Sequence, residues 1–126
     1  MNDDNSPAGV VARFISAWPE GDAAALASFF TDDAVYHNIP MEPIVGKEAI
    51  GATFAAFIGM AERIEFETLH TAVDGPIVMT ERIDRFISPA KTIALPVMGT
   101  FEVVDGKIRA WRDYFDLAQF TTQMSA

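Results

Sequence analysis

The 126-residue chain is 50% hydrophobic and 21% charged with a formal net charge of −9, which suits a single domain with room for a buried core and repels the phosphates of nucleic acids. It has no cysteine, so disulfides and thiol catalysis are excluded, and its 2 histidines, His37 and His70, are too few for a three-histidine metal centre. The opening MNDDNSPAG is acidic and polar where a secretory leader is basic and then apolar, and no apolar run reaches the length of a membrane helix. These features predict a cytoplasmic protein with neither nucleic acid nor membrane as its partner.

Residues 1–5 read as a disordered lead-in. Ser6-Pro7 pairs a good N-cap with proline at the first helical position. From there Val10, Val11, Phe14, Ile15 and Trp18 form the apolar stripe of a helix that Pro19-Glu20-Gly21 breaks. Asp22 caps a second helix, AAALASFF, ending near Phe30. AVYHNIP, 34–40, reads as a short strand stopped by Pro40, and MEPIVG as a loop. A third helix runs from Lys47 to about Gly59 with Ile50, Phe54, Phe57 and Ile58 inward.

The period then changes. Residues 63–73, 77–87, 92–104 and 107–116 read as long strands separated by Asp74-Gly75-Pro76, Ser88-Pro89-Ala90-Lys91 and Asp105-Gly106, and LAQFTTQM closes the chain as a turn or short helix. Three helices followed by a meander predict an α+β fold: a curved antiparallel sheet forming a cone, with three to four helices on one face and a pocket between the layers. The six methionines read as filler, and His37 and His70 as structural.

The stretch RAWRDYFD, 109–116, sets Asp113 between Trp111 and Phe115 on one strand face. Its neighbours depend on register. A two-residue Asp-Gly turn puts Asp113 opposite Met98. A three-residue loop with a glycine bulge pairs Val103 with Lys107 and puts Asp113 opposite Val97, on the face of Ile93, Leu95, Phe101 and Val103; this register is preferred. A four-residue loop over 88–91 pairs Ile87 with Thr92, which sets Arg82 opposite Val97 and Asp84 opposite Leu95. Arg82 and Asp113 then lie about 9–10 Å apart at their backbones, within reach of an arginine side chain. The bland alternative turns Arg82 and Asp84 to water, because Ile77, Met79, Ile83 and Ile87 share the other face of their strand. Tyr36 and Asn38, two residues apart, either join the same pocket or form a polar edge.

Two carboxylates joined by an arginine suit proton transfer in which one group takes a proton while the other gives one. Burial raises an aspartate's pKa and can keep one proton in such a pair near neutrality. An apolar electrophile that needs both a water and a proton matches this, and an epoxide is one. The motifs VYHNIP, TERID and WRDYFD resemble the limonene-1,2-epoxide hydrolase family, which has the nuclear-transport-factor-2-like cone fold, over about residues 10–120.

The resemblance implies that Tyr36, Asn38 and Asp113 bind the nucleophilic water, that Asp84 is the acid and that Arg82 orients both aspartates. It also implies cofactor-free, metal-free, one-step hydrolysis of an apolar epoxide to a vicinal diol, and a homodimer. Pattern and resemblance together assign the substrate-binding lining to Ile15, Trp18, Phe66 and Phe86. The same reasoning adds Leu95, Val97, Phe115 and Phe120. Two other readings stand beside it. One is an isomerase of the ketosteroid-isomerase type, for which the first helix offers Phe14 and Trp18 but no tyrosine. The other is a non-catalytic dimeric ligand-binding protein.

Overall fold

The computed structural model describes residues 5–126. Residues 1–4 of the expected lead-in lie outside the described residues, and Asn5 accepts a hydrogen bond from Arg13 Nη2 at 3.4 Å. Helix α1 spans Pro7–Ala17, with the Ser6 hydroxyl accepting from Gly9 N at 3.1 Å, and a 3₁₀ turn carries Trp18–Glu20. Helix α2 is Ala23–Ala27, capped by Asp22, and α3 is Lys47–Ile58. The strands are β1 Phe30–Asn38, β2 Ile44–Val45, β3 Arg63–Asp74, β4 Ile77–Ile87, β5 Thr92–Val104 and β6 Lys107–Tyr114, and α4 is Leu117–Ser125. They form one sheet in the order β2-β1-β6-β5-β4-β3, antiparallel throughout except that β1 runs parallel to β6. Among the described residues, no helix is long and apolar enough to cross a membrane.

The first three helices cover one face of the sheet. Val10, Val11 and Phe14 of α1 and Ile50 and Phe54 of α3 are buried against Val78, Phe101, Val103, Ile108 and Trp111. Phe14 stands edge-on to Phe30 at 5.2 Å and to Trp111 at 5.1 Å, the arrangement that ring quadrupoles favour.

Several boundaries differ from the sequence reading. The second helix ends at Ala27, not near Phe30, and β1 begins at Phe30 rather than Ala34. The Phe29 carbonyl accepts from Ile108 N at 2.8 Å, which draws Phe30 beside β6 and buries it. The expected loop MEPIVG contains β2, paired to β1 through Val35–Val45 and Tyr36–Ile44. β6 stops at Tyr114 instead of 116, because Asp116 caps α4 by accepting from Gln119 N at 3.2 Å.

The last hairpin corrects the preferred register. Asp105 and Gly106 have φ of 51° and 77°, as a two-residue primed turn requires, and Val104 pairs with Lys107. Val103 pairs with Ile108, and a bulge then inserts Arg109, so that Glu102 meets Ala110, Phe101 meets Trp111 and Gly99 meets Asp113. Asp113 therefore faces neither Val97 nor Met98. The three-residue loop would have aimed Lys107 and Arg109 into the core. The bulge keeps both outside and Ile108 fully buried. Inward parity from Trp111 onward is the same in both arrangements. The other hairpin pairs Ile87 with Thr92, Arg82 with Val97 and Asp84 with Leu95.

Candidate active site

Strand β4 turns Val78, Thr80, Arg82 and Asp84 inward, all under 6% exposed, although Arg82 and Asp84 break the apolar pattern of a core face. What holds them there is each other. Arg82 Nε donates to Asp84 Oδ1 at 2.9 Å, and Nη2 donates to Asp84 Oδ2 and to Asp113 Oδ2, both at 2.8 Å. Nη1 donates to the Thr80 hydroxyl at 3.0 Å. The guanidinium plane also lies over Phe66, 5.0 Å from the ring centre. A buried charge is tolerated when it is paired and bonded in this way.

Asp113 is fixed from a second side. Trp111 Nε1 donates to Asp113 Oδ1 at 2.6 Å. The indole is itself clamped between Tyr36, stacked at 4.4 Å, and Phe101, stacked at 5.2 Å. Asn38 lies beside Asp113 across the parallel β1–β6 ladder, and its Nδ2 donates to the Tyr36 hydroxyl at 3.0 Å.

Burial pushes the Asp84 carboxyl up to about 6 despite the opposing Arg82 charge, and the Asp113 charge adds to the rise. Burial likewise raises Asp113, against the pull of Arg82 and Trp111. Tyr36 is raised well above the usual phenol value by burial and then by Asp113, so its hydroxyl stays neutral. Burial alone would lower Arg82, but Asp113 and Asp84 keep it protonated. Two buried carboxyls on one permanent cation form a site that can hold a single proton between them.

Both carboxyls line a pocket between the sheet and the helices. Tyr36, Asn38, Asp84 and Asp113 bring oxygen and amide groups to an otherwise aromatic and aliphatic wall. Trp18, Phe66, Phe86, Leu95, Val97, Phe115 and Phe120 lie on that wall. Ile15 does not: α1 turns it into the hydrophobic core, 8% exposed, so its placement in the pocket is corrected. Arg82 is not on the wall either; it stands behind the carboxylates with no exposed surface.

Met41, Phe57 and Met60 complete the wall. The two methionines are 46% and 45% exposed, so they are mouth residues rather than filler. Their positions just after β1 and α3 were the available signal. His37 Nε2 lies 2.8 Å from the Met41 carbonyl and His70 pairs with Glu81 on the outer face, and neither ring lines the pocket.

Two contributors escaped the sequence reading. Thr80 anchors Arg82 Nη1. Gly99 lies under the meeting of Arg82 and Asp113, where a Cβ would collide with Arg82 Nη1 and come within 2.6 Å of Asp113 Oδ1. A glycine inside an apolar strand often marks such a close approach. Among the described residues, no group of three metal-ligating side chains converges.

Fold and site together define a nuclear-transport-factor-2-like cone whose pocket floor holds two carboxyls on one guanidinium. A model of the limonene-1,2-epoxide hydrolase catalytic domain matches residues 5–125. Epoxide hydrolase EphG of Mycobacterium tuberculosis is 35% identical over 109 residues, which span 85% of this chain and 71% of EphG. The structure of an LEH-like epoxide hydrolase from M. tuberculosis superposes with a TM-score of 0.78 at 31% identity, covering 94% of this chain and 90% of that one. A Catenulispora acidiphila protein of ketosteroid isomerase-like fold shares the architecture, with a TM-score of 0.82 over 92% of each chain, at only 20% identity, a likeness of fold alone. The chain belongs to the limonene-1,2-epoxide hydrolase family and is an epoxide hydrolase of that type.

Proposed function

We propose that this single domain adds water to an apolar, cyclic or terpene-like epoxide and yields a vicinal diol in one step, without cofactor, metal or covalent intermediate. Asp113 is the base. It takes a proton from a water held also by Tyr36 and Asn38 as the water oxygen bonds to an epoxide carbon. The carbon–oxygen bond of the ring breaks, and the departing oxygen takes the proton of Asp84. Epoxide plus water becomes diol, and one proton returns from Asp113 to Asp84 before the next turnover. Arg82 touches neither water nor epoxide; it holds the two carboxyls at a fixed separation and limits their repulsion.

The observation that carries this reading is the pair of carboxyls fixed on a single guanidinium nitrogen at the floor of an apolar pocket. A ligand-binding pocket has no use for two carboxyls and a guanidinium desolvated together, a cluster that only its own pairing makes tolerable. We also propose a cytoplasmic homodimer formed through the outer sheet face, where Leu69, Met79, Met98 and Tyr114 are 43–50% exposed.

Single-turnover hydrolysis of a panel of cyclic and terpene epoxides in heavy-oxygen water tests the reaction. The expected result is one labelled hydroxyl in the diol and no label in the protein. Unlabelled diol with label in an aspartate carboxyl, or an isomer with no water added, would overturn it. Sedimentation analysis checks the dimer.

A further inference from the structure

Asp84 and Asp113 share one cation, and Arg82 Nη2 reaches both at the same distance of 2.8 Å. Nothing in that shared contact says which carboxyl should be ionised. The asymmetry lies elsewhere. Asp84 accepts from the guanidinium on both oxygens, through Nε and Nη2. Asp113 accepts from the guanidinium on Oδ2 alone, and its Oδ1 accepts from Trp111 Nε1. An indole nitrogen can only donate, so Oδ1 is held as an acceptor whatever happens at Arg82. The indole cannot swing away, being stacked between Tyr36 and Phe101 and 1% exposed.

Resting on the acid–base reading above, we infer that Trp111 is a positioning residue whose indole N–H decides which of the two carboxyls serves as the base. Hydrogen bonds to a carboxylate favour its ionised form, and this one acts on Asp113 without acting on Asp84. Arg82 and Asp84 from β4 and Tyr36 from β1 are the titratable groups that face Asp113. The neighbouring elements otherwise present uncharged Gly99, Phe66 and Trp18. Without the indole donor, the proton of the pair moves towards Asp113, and the base is lost to protonation while the acid stands ionised.

The test replaces Trp111 in two ways: Trp111→Phe, and site-specific substitution by benzothienylalanine, which keeps the bicyclic ring and its stacking but has no N–H. The titration of Asp113 is followed by carbon NMR of labelled aspartate carboxyls, with Asp113→Asn assigning the signal. Both replacements are expected to move the Asp113 titration to higher pH. The acid limb of kcat/KM should move with it, and turnover at neutral pH should fall about ten- to a hundredfold, the worth of a hydrogen bond to a charged group. A purely structural tryptophan would lower turnover in the phenylalanine variant and leave the Asp113 titration of the benzothienylalanine protein where it is in the parent; that result overturns the inference. If the titration moves but the parent protein hydrolyses no epoxide, the inference stands and the proposed reaction falls. If the parent hydrolyses epoxides and the titration does not move, the reverse holds.

Discussion

The sheet carries two ionic clusters of opposite construction on its two faces. Inside, the cation Arg82 sits between the carboxyls of Asp84 and Asp113 with no exposed surface. Outside, the anion Glu102 sits between the cations Arg109, at 2.8 Å, and Arg112, at 2.7 Å, with its side chain 22% exposed. Both have short, well-aimed bonds. Yet the Glu102 carboxyl is held below its ordinary value by bonds from Arg109 and Arg112, whereas Asp84 is raised to about 6 by burial. The response is opposite because Glu102 has two cations to itself and stays within reach of water, whereas Asp84 is buried and shares one cation with a second carboxyl. The outer cluster stays on the solvent side of the strands; the inner one lies at the floor of the pocket.

Cutting each cluster at its arginine measures this difference directly. Arg82→Met should cost about 3–5 kcal/mol, because two buried carboxyls are left facing each other, and should abolish turnover; chemical denaturation and a diol assay check it. Asp113→Asn should leave a folded protein whose kcat/KM is lower by on the order of 10²–10⁴. Gly99→Ala drives a methyl into the place of the guanidinium tip and should cost about 1–3 kcal/mol in the melting curve, with activity falling in step.

Proton linkage sharpens the contrast. Between the ordinary aspartate value and about 6, the folded chain binds a proton at Asp84 that the unfolded chain has released. The inner cluster therefore contributes stability on the acid side that is lost as pH rises through that window. Glu102 acts in the other sense, contributing stability above the ordinary carboxylate value that is lost as pH falls through its own lower one. The melting temperature of Asp84→Asn should gain on that of the parent as pH rises through about 6. The smallest effect belongs to Arg112→Met, at less than about 1 kcal/mol with unchanged kcat.

Parity was the part of this molecule most legible from its sequence. Alternation in β4 and β5 and the four-residue loop between them fixed the Arg82–Val97 and Asp84–Leu95 pairs. Hairpin length was not legible. The turn and the bulge each shift the register by one residue, and the inward alternation of Trp111 and Asp113 is the same for either account. A cue was present in the alternation itself: Ile108 is apolar between two basic residues, so a register aiming Lys107 and Arg109 inward conflicted with the chain's own pattern. Ile15 was misplaced for a related reason. The apolar stripe that begins in α1 serves the core through Ile15 and reaches the pocket only at Trp18, in the 3₁₀ turn, and periodicity does not say where one gives way to the other. Gly99 carried a faint cue, a glycine within an apolar strand, but its part and that of Thr80 depend on where the tip of a neighbouring side chain falls.

The bulge at Arg109 also sets how far the length of β6 can change. One residue there is surplus to the ladder. Removing it leaves Val103 opposite Ile108 and Gly99 opposite Asp113, with a regular strand between them. Loss of a second residue finds no such slack. Every side chain beyond the gap changes face, which presents Arg112 to the pocket and Asp113 to the outside. The hairpin can therefore shorten by one residue, and by no more, while Asp113 stays on the pocket side.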